Sequence, residues 1–502
     1  MKVRVLARDS ELYTRGKKSE NNHAPDAHPL KNLQEYQRAL AAAKMERMFA
    51  KPFVAALEGH LDAVSCLARS HKTVQDVYSG SCDGEIRFWR LGTRVCQRSI
   101  VKGHDGHVEG VAVAKDDTYL LSCGRDQYIK QWAVEKHFRV GLAAEADIEN
   151  RGGVIHHDLW QDGAGSVGSI RPVNTFHDPD GPLFGVDSHD EASRFVTAGS
   201  RVSVWDLSKT APVAQMASGA GGCVQRFVQW SPSDMNLVLS ASSNNTVELF
   251  DVRQGDMVQS VALAMQSNSG AWNPMRPFEF AVANDDHNVY TFDIRNFASA
   301  KHVYCGFVHA ALSVAYAPTG KELCAGGQDE TVRIWTHGER FSRDVYHNRR
   351  MQSVTSVLYS GDSKYILSGS ADFNVRLWKA NASEKLNGAV SRKEADAINY
   401  RRALLRKYAH MPQVKHIQHQ RHLPKYIYNM NKQKLVHHKA DRERKERGGQ
   451  IIKPLRQSPI RHTSVQDAAK PKVVPRGQTD QDPQDDDDQE EDDNMSSEAS
   501  DE

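Results

Sequence analysis

The chain has no apolar run approaching the roughly 18–20 residues that a membrane-spanning helix needs. Its first ten residues also lack the apolar core of a signal peptide. The expectation is a protein without a membrane partner, which stays in the compartment where it is made or enters the nucleus. Cysteine is scarce, with seven in 502 residues and none in a C-x-x-C pair, so neither a disulfide framework nor a zinc finger is indicated. That usage fits a reducing compartment. The sequence holds no P-loop, no H-E-x-x-H and no G-x-S-x-G elbow. No enzyme, cofactor, metal or small-molecule substrate is therefore expected.

Net charge is also nearly absent, at +2, but this total conceals unlike segments. Residues 385–476 hold 23 basic and 6 acidic side chains, whereas residues 480–502 hold 13 acidic ones and no basic one. Partners must be argued segment by segment.

A repeat is present. Aromatic residues closing short β-like runs fall at Trp89, Trp132, Trp205, Phe250, Phe292, Trp335 and Trp378, with spacings of 43, 73, 45, 42, 43 and 43. That is the period of a four-stranded propeller blade, about 40–45 residues. Six residues before the aromatic stands Asp83, Asp126, Asp286, Asp329 or Asp372, with Asn244 in the fourth repeat and no equivalent in the third. Gly-His pairs open the first two repeats at His60 and His104.

In the first repeat His60, Ser79, Asp83 and Trp89 are spaced to form a chain of hydrogen bonds that satisfies polar atoms buried between strands. His104, Ser122, Asp126 and Trp132 repeat the set, and Ser368, Asp372 and Trp378 carry it in the seventh, with His347 as a further candidate. A Ser-His-Asp set also invites a hydrolase reading, but this one recurs at the repeat period and a nucleophile would not.

These landmarks, over about residues 59–378, resemble those of WD-repeat propellers, although only Trp205-Asp206 spells the dipeptide. The resemblance implies an all-β, seven-bladed ring. After Trp378 no outer strand follows, so Phe53–Leu57, ahead of the first Gly-His, is expected to complete the last blade. The propeller is thus assigned to 51–380 and an N-terminal arm and helix to 1–50. Leu33, Tyr36, Leu40, Ala43 and Met48 mark the apolar stripe of that helix, which Pro52 stops. Extra residues at about 137–176 read as a loop insertion between blades. Gly163, Gly165 and Gly168 formally match a dinucleotide fingerprint, but no βαβ unit surrounds them.

The segment 385–450 reads as basic and helical. Ser391 to Glu394 is a capping box, with Ala397, Leu404, Leu405 and Tyr408 as packing positions, Pro412 as a stop, and two further helical stretches that end at Gly448-Gly449. Arg401, Arg402, Arg406, Lys407, Lys415, Arg421 and Lys425, interleaved with Tyr400, Tyr408, Tyr426 and Tyr428, have the composition of a surface that neutralises phosphates and stacks on unpaired bases. The plainer alternative is a solvated cationic helix. His416, His419 and His422 fall three apart, but Lys415 and Arg421 beside them repel a cation. Residues 451–502 end in an acidic run with nothing to bury, and its composition predicts disorder.

Met45–Phe53, Arg406–Pro412 and the string HQRHLPKYI at 419–427 resemble the Sof-like WD-repeat proteins, over roughly residues 30–450. The resemblance implies a nucleolar component of the small-subunit processome, with pre-ribosomal RNA, the box C/D small nucleolar ribonucleoprotein and other processome proteins as partners. A second reading comes from Asp251-Val252-Arg253 and Asp293-Ile294-Arg295, which follow the aromatic in successive repeats. They resemble the doubled Asp-x-Arg signature of substrate receptors for the cullin-four RING ubiquitin ligase, which implies that Arg253 and Arg295 meet the ligase adaptor. The bland alternative is an Asp-Arg pair closing each turn.

Overall fold

The structure is a computed structural model, and it describes residues 30–134, 171–189, 193–217, 223–384, 386, 391–420 and 423–446. Seven four-stranded antiparallel sheets make up residues 53–379. Their innermost strands begin at Val64, Val108, Gly185, Gln225, Ser267, Ala311 and Val354, and each touches the next around a circle that closes from the last onto the first. This is the expected seven-bladed propeller. Burial falls outward across a blade. In the first, the second strand Asp76–Ser81 is buried throughout, whereas Val95–Ile100 at the outer edge is mostly part-exposed. In six blades the innermost strand shifts register by one residue just after it starts, as between Val64 and Cys66. Such a bulge increases local twist where the strands crowd toward the axis.

The ring closes as expected. Phe53–Leu57 pairs antiparallel with Val375–Lys379, placing Ala55 opposite Leu377 and Leu57 opposite Val375. Leu57 is fully buried with Val64, Val77, Leu367 and Leu377, so the segment ahead of the first blade shares the core of the last.

The position of the extra residues differs from expectation. Asn174–His177 pairs with Tyr128–Ala133 as the outermost strand of the second blade. The enlargement therefore falls within that blade, between its third and fourth strands, and not between blades. Residues 135–170, with the three glycines of the formal fingerprint, lie outside the described residues.

Connections between second and third strands share one rim with the blade-to-blade connections, as Ser243 N–H donating to Val224 O illustrates. We call this rim upper. The other connections share the lower rim, where Val252 N–H donates to Asn236 O.

Contacts group the helices in a way that linear order does not. Among the described residues, one unit joins 30–51 to those of 382–420, while 423–446 goes with the propeller. In the first unit, α1 (Lys31–Met48), α2 (Arg392–Lys407) and α3 (Pro412–His419) bury Ala39, Ala42, Ala43, Leu404, Leu405, Tyr408 and Val414 together. The stripe expected on α1 is corrected at its ends, because Leu33 and Met48 are 58% and 69% exposed. Three alanines take the buried face instead, since a small side chain lets a neighbouring helix approach closely. Ser391 caps α2, its Oγ accepting from Glu394 N–H at 3.3 Å. Ala397 is exposed. The last helix, α4 (Lys425–Glu446), belongs to the propeller unit. No described helix is long and apolar enough to cross a membrane.

Candidate functional site

The hydrogen-bond chain expected in the second blade is complete. Trp132 Nε1–H donates to Ser122 Oγ at 2.9 Å, Ser122 meets His104 Nε2 at 2.7 Å, and His104 Nδ1 meets Asp126 at 2.9 Å. Burial pushes Asp126 upward, but the hydrogen bond and charge of His104 outweigh it and hold the carboxyl below its usual range. Ser122 is fully buried, so no substrate carbonyl can reach its oxygen. The chain is a fastening between strands.

The first blade departs from this pattern. Trp89 Nε1–H donates to Ser79 Oγ at 2.7 Å and Ser79 meets His60 Nε2 at 2.6 Å, but Asp83 does not reach the ring, and His60 Nδ1 has no hydrogen-bond partner. Asp83 accepts instead from Leu61 N–H and Glu85 N–H. Beside them Arg87 pairs with Glu85 at 2.9 Å, which brings a cation toward His60. Burial, then the charge of Arg87, lowers the imidazole pKa to about 4. The ligand atoms of His60, Asp83 and Glu85 lie within 4.8 Å of one another, yet a metal ion there would have to displace Arg87 from Glu85.

Four residues after the turn acid stands a partner that the sequence reading missed. Arg376 pairs with Asp372, Arg333 with Asp329 at 3.5 Å and Lys130 with Asp126 at 3.7 Å, while Tyr290 O–H donates to Asp286. Asp372 thus bonds Arg376. The signal was legible as D-x-x-x-R/K at the blade period. The residue after the turn acid has positive φ at Gly84, Gln127, His287, Glu330 and Phe373. At Gly84 a Cβ would also lie 2.2 Å from His104 O, so only glycine fits there.

The basic residues divide into two groups. Arg401, Arg402 and Arg406 are exposed along α2, and among the described residues no hydrogen bond or ion pair holds their side chains. Lys407 differs in having an internal partner, its Nζ lying 2.5 Å from Glu35, which also accepts from Tyr408 O–H at 3.0 Å. Tyr408 is buried against Tyr36, so it is core and not a stacking platform. Lys415 is half-buried, and Arg421 lies outside the described residues. Tyr400 remains 49% exposed, its hydroxyl 3.4 Å from the Arg38 guanidinium of α1.

Within the propeller unit, α4 rests on the upper rim. Tyr426 stacks on His309 with centroids 6.0 Å apart and an interplanar angle of 13°, Lys434 Nζ–H donates to Val308 O at 2.9 Å, and Ile427 is buried. Lys425 and Tyr428 stay exposed.

The two Asp-x-Arg sequences lie on the lower rim. Each Asp accepts from its own Arg backbone N–H, Asp251 from Arg253 at 2.9 Å and Asp293 from Arg295 at 3.0 Å. Beyond that shared turn they differ. The Arg253 side chain is 65% exposed and 3.4 Å from Asp251, whereas the Arg295 guanidinium sits 3.9 Å above the Phe278 ring. Asp293 therefore leaves the charge of Arg295 to an exposed aromatic face.

Seven meander sheets closed by a strand from ahead of the first, with indole–hydroxyl–imidazole chains between strands of the first two, make this a WD-repeat propeller scaffold. The WD domain, G-beta repeat, matches residues 51–90, 94–133, 301–336 and 346–379, and the Sof1-like domain matches residues 380–463. The chain is 37% identical over 449 residues to DDB1- and CUL4-associated factor 13 of Xenopus laevis, covering 88% of this chain and 94% of that protein. The protein of the same name in Danio rerio is 38% identical over 451 residues, covering 89% and 94%. Protein SOF1 of Saccharomyces cerevisiae is 33% identical over 446 residues, covering 85% and 86%. The chain belongs to the Sof1-like family of WD-repeat proteins.

Proposed function

We propose that the chain is a non-catalytic scaffold of the nucleolar small-subunit processome, acting in pre-ribosomal RNA processing and small-subunit biogenesis. Its propeller rims bind processome proteins and the box C/D small nucleolar ribonucleoprotein, and its basic helices bind RNA. The observation that carries this reading is α2, which buries Leu404 and Leu405 while Arg401, Arg402 and Arg406 face solvent without an internal partner among the described residues. Arg402 and Arg406 are one helical turn apart, and like charges at that spacing destabilise a helix. A polyanion would relieve the repulsion. Phosphate contacts of this kind position an RNA without reading its bases. Ultraviolet cross-linking in cell extract tests the reading: RNA contacts should map within residues 391–447, and their confinement to the propeller would overturn it.

A second reading is favoured by Arg295 over Phe278. A guanidinium held on an exposed aromatic ring is arranged for capture of a carboxylate by a partner, and several relatives carry DDB1 and CUL4 association in their names. On this reading the chain is also a substrate receptor of a cullin-four RING ubiquitin ligase, meeting the adaptor through Arg253 and Arg295. A scaffold and a receptor are compatible roles.

A further inference from the structure

We propose that the lower end of the propeller axis binds the phosphate group of a small molecule, with Arg69 as its anchor and Lys115 as its second cation. Neither α2 nor the Asp-x-Arg turns contribute a residue to this site.

Six of the seven innermost strands end on an uncharged residue, from Val113 in the second blade to Tyr359 in the seventh, whereas the first ends on Arg69. One cation therefore stands at that level of the ring. A guanidinium carries several N–H donors, yet among the described residues this one makes a single hydrogen bond, to Tyr359 O at 3.2 Å, and no ion pair. Burial holds its pKa below the ordinary arginine value, with no carboxylate raising it. A second cation lies close, since the charges of Arg69 and Lys115 both act on the His71 ring. Burial first, then those two charges, lower the His71 pKa against the pull of Asp117, while the ring bonds Val113 O.

The carboxylates at this end have other duties. Asp117 accepts from Ser70 O–H and from the N–H groups of His71 and Lys72 at 3.0 and 2.9 Å. Asp187, whose charge acts on Lys115, accepts from Trp230 and Ser188 N–H at 2.8 and 3.0 Å, and burial pushes its pKa up to about 7. Asp76 accepts from Thr73 O–H at 2.6 Å, and Asp362 from Ser360 O–H and from Lys364 N–H at 3.1 Å. Asp116, beside Lys115, is exposed, where water screens it. A partly buried guanidinium with donors to spare, next to an ammonium, suits a phosphate, which accepts bidentately from arginine and carries charge for both cations.

Isothermal titration of the full chain with inorganic pyrophosphate at constant ionic strength tests the site. Arg69→Leu should weaken binding roughly tenfold, and Lys115→Gln several-fold, through loss of charge-assisted hydrogen bonds. Arg401→Glu, Arg402→Glu and Arg406→Glu combined should leave it unchanged. Thermal unfolding separates loss of the site from loss of the fold. If Arg69→Leu does not fold, Arg69→Lys carries the test, because it keeps the charge, loses the bidentate fork and should weaken binding several-fold. A parent chain that does not bind pyrophosphate, equal binding by the folded Arg69 variants, or loss of binding with the α2 substitutions would each overturn the proposal.

Discussion

Leu57, from the segment ahead of the first blade, lies opposite Val375 of the last and is fully buried. One side chain therefore fastens a contact between residues more than three hundred positions apart. Leu57→Ala should lower stability by about 2–5 kcal/mol, the range for truncating a buried leucine. Denaturant unfolding checks this, with Phe53→Ala as the comparison. Phe53 is 44% exposed although its ring meets Trp378 edge-on at 5.5 Å, so its truncation should cost less.

The first blade predicts a pH dependence. Burial and Arg87 lower the His60 pKa from 6.5 to about 4, so between those values the unfolded chain binds a proton that the folded chain does not. His60 is then neutral in both states above pH 6.5, and stability falls as pH drops from 6.5 toward 4, by up to about 3 kcal/mol. His60→Gln should flatten that part of the stability–pH curve. An unchanged slope in the variant would contradict the assignment.

Arg376 and Asp372 form a pair whose side chains are 3% and 11% exposed. Removing one partner leaves a buried charge uncompensated, so Arg376→Leu alone should cost about 3–5 kcal/mol, and combining it with Asp372→Asn should recover much of the loss. Chemical denaturation of the three variants gives the coupling directly.

The lower rim predicts an order of effects. Arg253→Ala with Arg295→Ala should abolish co-purification of the ligase adaptor while leaving sedimentation with pre-ribosomal particles unchanged. Phe278→Ala should weaken adaptor capture several-fold by removing the surface on which Arg295 rests. Retention of the adaptor by the double variant would dismiss the receptor reading.

Much of this architecture was legible in the sequence because a propeller repeats one physical problem seven times. The aromatic positions from Trp89 to Trp378 follow from burying one large ring per blade, and Phe53–Leu57 was identifiable because the last blade lacked a strand. The enlarged second blade was misplaced because its outermost strand is only Asn174–His177, four residues bearing one fully inward aromatic, Phe176. Asp83 was joined to His60 because spacing alone does not reveal that its carboxylate accepts from the Leu61 and Glu85 backbone N–H groups. On α1 the buried alanines went unread because a stripe of large residues is the stronger signal, and Lys407 looked like its neighbours until Glu35 was placed beside it. Residue type marked the basic helices, but only packing separated Arg401, Arg402 and Arg406 from Lys407 and Tyr408.

The most direct measurement is sedimentation of the full chain carrying Arg401→Glu, Arg402→Glu and Arg406→Glu in cell extract. All three side chains are exposed, so thermal unfolding should match that of the parent and a folding defect would be visible separately. The variant should leave the large ribonucleoprotein particles and sediment with free protein. Continued migration of the folded variant with those particles, in parental amount, would contradict it.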